Sequence, residues 1–288
     1  MAINMTTPDE NANKNFSNDF NSITTLWAIK FPVRFVIIIL MNKVFEHPRS
    51  LKKTPFRYCP GCGHSLMHRL IAEAIDKLEI REKVIGIAPV GCAVFAYDYF
   101  DFDMIEVAHG RPPAAATGMK RVMPDNIIFS YQGDGDLAAI GTAEIIHAAN
   151  RGENITVFFI NNATYGMTGG QMAPTTLPLQ KTTTTTSGRD IKHDGYPLHV
   201  SEMLATIDGA AFIARGSLDS YKNLVAVKGL IEKAFQYQIE GKGFSMIEIL
   251  SPCPTDWWMS PEKSIKWMQM EMFSQYKTGV LKEKWKNE

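Results

Sequence analysis

Apolar residues recur at helical spacing over residues 65–79, where Leu66, Leu70, Ile71, Ala74, Ile75 and Leu78 share one face. A continuous apolar run at 84–88 follows and predicts a buried strand. The same alternation continues down the chain. Strands are expected at 104–107, 126–131, 155–160, 210–214 and 245–250. Helices are expected over 112–122, 137–150, 219–240 and 264–276, with another ending at 204–208. Pro112 and Pro113 suit a first helical turn, where a missing N–H costs nothing. Strand runs that are apolar at every position, each followed by a helix, predict an α/β fold with a doubly wound, mostly parallel sheet. The segment 163–198 breaks the pattern with Gly169-Gly170 and a threonine run at 182–186, and reads as a long functional loop. The terminal segment with Lys282, Glu283, Lys284 and Lys286 reads as a polar tail.

The amino-terminal region has a different pattern. Residues 1–22 are polar and read as disordered. Residues 27–40 are apolar but interrupted by Lys30, Pro32 and Arg34. The unbroken apolar run there is far shorter than the ~20 residues that cross a bilayer. The expectation is that 1–40 is an upstream extension or disordered, that Met41 is the true start, and that 41–288 forms one domain.

Composition narrows the setting. The chain has 288 residues, 45% hydrophobic and 21% charged, with formal net charge zero, enough apolar material for a sizeable core. Balanced charge leaves no electrostatic footprint for nucleic acid or an anionic membrane. Four cysteines are few for a secreted disulfide scaffold of this length. A reducing cytoplasm is therefore expected, where Cys-x-x-Cys binds metal or does redox work more often than it forms a disulfide.

Candidate chemistry gathers where strands end. Gly133-Asp134-Gly135-Asp136 follows one predicted strand, and Asn161-Asn162 closes the next. One carboxylate, one amide oxygen, a backbone carbonyl and diphosphate oxygens form an all-oxygen octahedron suited to Mg²⁺. The helix predicted from Leu137 would offer free N–H groups to the anion. Alone, Asp134 could merely cap a helix and Asn162 merely make a turn; the pairing after successive strands makes the cofactor reading specific. The cysteines lie in Cys59-Pro60-Gly61-Cys62 and singly at Cys92 and Cys253, each single one in a loop after a predicted strand. Thiolates suit zinc or iron–sulfur clusters. Spacing alone leaves zinc, a cluster and ordinary buried thiols all open.

These motifs resemble the thiamine diphosphate signature. The stretch from Cys59 to Lys284 is similar to the thiamine-binding β subunit of the 2-oxoacid:ferredoxin oxidoreductases. The resemblance rests on Cys59-Pro60-Gly61-Cys62-Gly63-His64, His109-Gly110-Arg111, the Gly-Asp-Gly and Asn-Asn pair, and Tyr165-Gly166-Met167-Thr168-Gly169-Gly170-Gln171. It implies the thiamine-diphosphate-binding fold and Mg²⁺ on Asp134, the Asn162 side chain and the Thr164 main-chain oxygen. It places the cofactor against Gly91, Cys92, His109, Gly135, Asp136, Gly166 and Met167, and a [4Fe–4S] cluster on Cys59, Cys62, Cys92 and Cys253.

The implied reaction converts a 2-oxoacid, coenzyme A and oxidised ferredoxin to acyl-CoA, CO₂ and reduced ferredoxin. The implied partners are an α subunit, with γ or δ subunits in some arrangements; the glutamate that activates the aminopyrimidine belongs to a partner. Subunits acting on 2-oxoglutarate often carry lysine where Gly169 stands, so 2-oxoisovalerate is the expected substrate and 2-oxoglutarate the alternative. A non-oxidative thiamine-dependent decarboxylase or lyase, and a non-catalytic zinc-stabilised subunit, are the rival readings. His64 is expected at the diphosphate or the cluster loop, and His109 and Arg111 at cofactor or substrate. His147 is expected to pack or lie at the surface, His193 and His199 to do either. Met268, Met270 and Met272 are expected to pack.

Overall fold

A computed structural model describes residues 46–285, and the chain divides into two units, Met1–Glu46 and His47–Glu288. The expected disordered region and the boundary at residue 40 lie outside the described residues.

Seven strands form one sheet in the order β2-β1-β3-β4-β6-β5-β7. They are β1 (Val84–Ala88), β2 (Asp103–Glu106), β3 (Ile127–Gly133), β4 (Thr156–Asn161), β5 (Ala210–Ser217), β6 (Phe244–Leu250) and β7 (Gly279–Glu283). The first six are parallel, and β7 joins the β5 edge antiparallel. Side chains alternate between two cores. Phe129, Tyr131, Phe158 and Ile247 point to one face with α1 (His64–Lys77) and α7 (Tyr221–Ile239). Ile128, Val157, Phe159 and Met246 point to the other with α3 (Pro112–Val122), α4 (Thr142–Asn150) and α6 (Val200–Ala205). Period two across a sheet buried on both faces explains why these strands read as unbroken apolar runs. Phe129, Phe158 and Phe235 meet edge to face at 5.4–5.9 Å, and truncating any one would cost about 3–5 kcal/mol.

Three expectations are corrected. The supposed polar tail contains β7, whose half-exposed residues Lys282 and Glu283 are tied down: Lys282 Nζ donates to Ile207 O (2.5 Å) and Lys233 pairs with Glu283. Charges on an edge strand guard it against further pairing, and they hid the strand in the sequence. The expected helix over 137–150 starts instead with a widened stretch, Gly135–Ile140, in which Gly141 N bonds Asp136 O (2.8 Å), and becomes α-helical at Thr142. Such one-turn widenings favour functional sites. The expected helix over 264–276 is likewise interrupted: α8 (Pro261–Trp267) passes through a wide turn, Met268–Met272, into α9 (Phe273–Gln275).

Strand order reverses between β1 and β3, because the chain leaves β1 for β2 on one side and then returns to its other side. Loops leaving the carboxyl ends of these strands diverge there and open a crevice. Among the described residues no helix is long and apolar enough to cross a membrane.

Candidate functional site

Asp134 follows β3 directly and is buried. Its Oδ1 accepts from Gly135 N (2.8 Å), and its Oδ2 accepts from Thr164 N (3.1 Å) and Thr175 Oγ (2.9 Å). The two asparagines at the end of β4 point apart. Asn161 Nδ2 donates to Glu248 Oε1 (2.8 Å), and its Oδ1 accepts from Ala163 N (3.1 Å). Asn162 turns toward Asp134: its amide oxygen stands 3.1 Å from Asp134 Oδ2 and 2.8 Å from Thr164 O. Turning the amide over would let its NH₂ donate to both oxygens. As it stands, three acceptors converge.

Neighbouring polar atoms are already engaged. Trp257 Nε1 donates to Asn162 O (3.0 Å), and Thr176 Oγ and Gln180 Nε2 donate to Ala163 O (2.8 and 3.2 Å). Neighbouring oxygens of a Mg²⁺ octahedron with ~2.1 Å bonds lie about 3 Å apart, which is the spacing seen. Burial pushes the Asp134 carboxyl up to about 7, against the opposing hydrogen bonds from Thr175, Gly135 and Thr164. A buried carboxylate of that kind is relieved by a cation. The residues therefore fit a small hard cation.

A cavity opens from this corner. It is lined by the residues that the family resemblance implies for cofactor and cation: Gly91, Cys92, His109, Asp134, Gly135, Asp136, Asn162, Thr164, Gly166 and Met167. Gly91 has φ +84° and open space where a side chain would begin, so backbone can approach a ligand closely. At Gly135 a Cβ would lie 2.8 Å from the Tyr165 ring.

Asp136 is more deeply engaged with protein than a simple cofactor ligand. Its Oδ1 accepts from Gly110 N (2.8 Å) and pairs with His109 Nδ1, and its Oδ2 accepts from Gln132 Nε2 (2.6 Å). The pairing fixes the His109 ring, which lines the cavity. His64 also lines the cavity, and its Nδ1 hydrogen-bonds with Tyr131 OH (2.6 Å). Burial lowers His64 to about 4, so it stays neutral at physiological pH.

Arg111 does not line the cavity; it pairs with Glu144 on α4. His147 is exposed, His193 is exposed beside Asp194, and His199 packs against the Tyr276 ring at 5.1 Å. Met268 and Met272 are buried, whereas Met270 is exposed.

The four cysteines approach the same cavity from three loops. Cys62 N donates to Cys59 O (3.0 Å), closing the turn around Gly61 at φ +81°. A Cβ at Gly61 would lie 2.7 Å from Pro261 and 3.1 Å from Pro254, so this turn abuts the loop of Cys253. A Cβ at Gly166 would lie 3.3 Å from both Cys92 Sγ and Asp256 Oδ2. Cys253 Sγ donates to Asp256 Oδ2 (3.2 Å). Burial is the main cause pushing Cys62 up to about 11 and Cys92 up to about 12, with Asp256 and neighbouring thiols adding to it, and it raises Cys253 further. Cys59 is exposed. Among the described residues no three His, Cys, Asp or Glu side chains are grouped to hold a single ion. The thiols therefore border one neighbourhood without closing on one point.

Asp256, Trp257 and Thr175 carry the site with no motif to mark them. Trp257 and Asn162 are 95 positions apart in sequence, and Thr175 and Asp134 are 41 apart.

The fold and cavity define the class. Residues 89–249 match the thiamine pyrophosphate enzyme C-terminal TPP-binding domain. The ketoisovalerate oxidoreductase subunit VorA of Methanothermobacter thermautotrophicus is 48% identical over 236 residues, covering 82% of this chain and 50% of that subunit. The 2-oxoglutarate synthase subunit KorB of Methanocaldococcus jannaschii is 37% identical over 216 residues, covering 75% of each. The chain belongs to the family of thiamine-pyrophosphate-binding subunits of 2-oxoacid oxidoreductases. It spans about half the length of the VorA relatives. A 2-oxoglutarate:ferredoxin oxidoreductase from Magnetococcus marinus, solved with 2-oxoglutarate, coenzyme A and succinyl-CoA bound, shares the fold (TM-score 0.66, 24% identity, covering 84% of this chain and 86% of that one).

Proposed function

We propose that this chain is the thiamine- and cluster-bearing subunit of a cytoplasmic 2-oxoacid:ferredoxin oxidoreductase. The reaction consumes one 2-oxoacid, one coenzyme A and two oxidised ferredoxins, and yields acyl-CoA, CO₂, two reduced ferredoxins and a proton. The observation that carries the reading is Cys92: its side chain stands in the thiamine cavity and among the other thiols at once. That adjacency gives electrons a short exit, which a non-oxidative lyase would not need.

Asp134, Asn162 and Thr164 O would hold Mg²⁺, and Gly91, Gly135, Gly166 and Met167 would border the cofactor. Bound thiamine diphosphate supplies the carbanion that adds to the 2-oxo carbon and accepts the electron pair left when CO₂ departs. His109, set by Asp136, presents its imidazole edge to the cavity. His64 stays neutral there, adding no charge. Cys59, Cys62, Cys92 and Cys253 would hold a [4Fe–4S] cluster, which takes electrons one at a time.

The substrate reading is 2-oxoisovalerate. Gly169 has φ +107° and open space where a Cβ would lie, so no cation stands there to meet a second carboxylate. The 48% identity to a subunit named for ketoisovalerate, against 37% to one named for 2-oxoglutarate, supports the same choice.

The test is anaerobic assembly with the partner subunits, metal analysis and a 2-oxoacid panel. Iron and sulfide at four each per chain, with the highest kcat/KM on 2-oxoisovalerate, is expected. Zinc without sulfide would sink the cluster; preference for 2-oxoglutarate would sink the substrate reading. The chain alone should show no turnover, since the activating glutamate is expected from a partner.

A further inference from the structure

The loop that carries Cys253 is fastened to the cation corner at a point no motif marks. The Trp257 indole N–H donates to Asn162 O (3.0 Å), with both residues buried. Ala163 N, the other end of the same peptide group, donates to Asn161 Oδ1 (3.1 Å). Trp257 and Asn161 thus pin one peptide plane from both sides. That plane leads into Ala163 at φ +57°, a left-handed conformation that costs an alanine roughly 1–2 kcal/mol. Beyond it lies Thr164, whose carbonyl oxygen stands 2.8 Å from the Asn162 amide oxygen, which in turn faces Asp134 Oδ2 at 3.1 Å. A rotation of this plane would turn the acceptors away from one another.

The fastening is rigid on the cysteine side too. Trp257 N donates to Cys253 O (3.0 Å) and Met259 N to Pro254 O (2.9 Å), so thiol and indole ride on one closed turn. Trp267 of α8 packs on the indole at a centroid distance of 4.5 Å. Trp257 shares a small apolar cluster with Ala163, Cys253 and Tyr276, separate from the two cores that flank the sheet. Asp256 adds a second contact between the same two segments, lying against Gly166 and Gly170.

We infer that Trp257 is a positioning residue: its N–H fixes the peptide plane between Asn162 and Ala163 in the cation-binding orientation and so links the seating of Cys253 to the filling of the cation site. The inference rests on reading the cavity as a thiamine diphosphate–Mg²⁺ site. Linkage is reciprocal, so Mg²⁺ with thiamine diphosphate should steady the Cys253 turn as much as that turn steadies the cation corner.

Hydrogen exchange on the full chain, assembled with its partner subunits, tests this with and without Mg²⁺ and thiamine diphosphate. In the wild type, exchange should slow in the cavity segments 90–94 and 164–168 and also in 255–259, which does not line the cavity. Trp257→Phe keeps an aromatic ring and removes the N–H. At saturating cofactor it should retain protection in the cavity segments and lose it in 255–259. The Mg²⁺ concentration for half-maximal thiamine diphosphate binding should rise about tenfold, as expected for one buried carbonyl losing its donor. If 90–94 and 164–168 do not respond in the wild type, the cofactor reading itself fails. If they respond while 255–259 does not, the role of Trp257 is overturned, and this outcome needs no variant to fold. Unchanged Mg²⁺ dependence in a folded Trp257→Phe protein would overturn it equally.

Discussion

The cavity has an oxygen corner and a sulfur corner, and they are built in opposite ways. At the oxygen corner, Asp134, Asn162 and Thr164 O are placed by a dense set of hydrogen bonds, donated by Thr175, Thr176, Gln180 and Trp257 and accepted by Asn161. Its geometry is fixed by bonds within the protein. At the sulfur corner, three loops are brought near one another by close backbone packing, and burial holds Cys62, Cys92 and Cys253 as neutral thiols. There the ligand must drive out protons and complete the arrangement. A hard cation meets a preorganised site; a soft metal group would finish its own.

The sharpest way to break this comparison is Asp134→Ala. It removes the one carboxylate of the oxygen corner, and Mg²⁺-dependent thiamine diphosphate affinity should fall at least a thousandfold by calorimetry. Iron and sulfide content should stay near wild type. Loss of iron in parallel would show that the linkage through Trp257 decides whether the cluster is held at all, and not only how firmly the Cys253 turn is seated. Asp134→Asn, which keeps the shape, should bind cofactor at least a hundredfold more weakly, yet the cofactor-free protein should melt higher at pH 8, because a buried carboxylate is gone.

Arg189→Ala comes next. Its buried guanidinium is spent on backbone: Nε donates to Gly195 O (2.9 Å), one terminal nitrogen to Pro174 O (3.0 Å) and Thr176 O (2.5 Å), and the other to Tyr196 O (2.9 Å) and Asp194 O (3.2 Å). It staples the long loop that brings Thr175, Thr176 and Gln180 beneath the oxygen corner. Removing it leaves several carbonyls unpaired, a loss of about 3 kcal/mol in denaturant unfolding. Weakened cofactor binding with intact iron content is expected, and the reverse would misassign the loop.

These two positions also separate what the sequence disclosed from what it did not. Asp134, Asn162 and the strand ends were legible together, because Gly-Asp-Gly and Asn-Asn each close an apolar run, and the ends of successive parallel strands lie close together. The start of α3 was legible from Pro112 and Pro113, whose missing N–H groups fit only a first turn. Arg189 and Trp257 were not, since each acts on carbonyls that every residue carries, and only folding selects which ones. The Asp136–His109 pair was visible as two separate residues, but the bond between them crosses from the β3 end to the β2 loop. Strand β7 escaped because an edge strand carrying Lys282 and Glu283 has the composition of a tail.

At the sulfur corner Gly61→Ala should act more gently. The left-handed φ and the approach of Pro261 together cost about 2 kcal/mol, pushing the Cys59–Cys62 turn off the Cys253 loop. Iron should be lost to a chelator several times faster, with Mg²⁺ affinity lowered by much less, because only the link through Trp257 carries the change across. Coupled loss of both would join the corners more tightly than the packing suggests.

The smallest effect per step is pH, and it distinguishes the corners by slope. Asp134 is raised to about 7 from an ordinary value near 3.8, with burial the main cause. Its neutral form stabilises the cofactor-free fold below pH ~4, and that contribution fades as pH rises to about 7, then levels off. Mg²⁺ needs the ionised form. Its affinity should therefore fall about tenfold per pH unit below 7 and be flat above, with up to one proton released per ion. Cys62 and Cys92 stand at about 11 and about 12, so metal uptake there releases protons throughout the physiological range and should keep strengthening well above pH 7. Calorimetry for Mg²⁺ and iron competition with a chelator, both run from pH 6 to 9, should give one curve that breaks near 7 and one that does not. A shared break would mean that one proton governs both corners, contrary to their different ligand atoms.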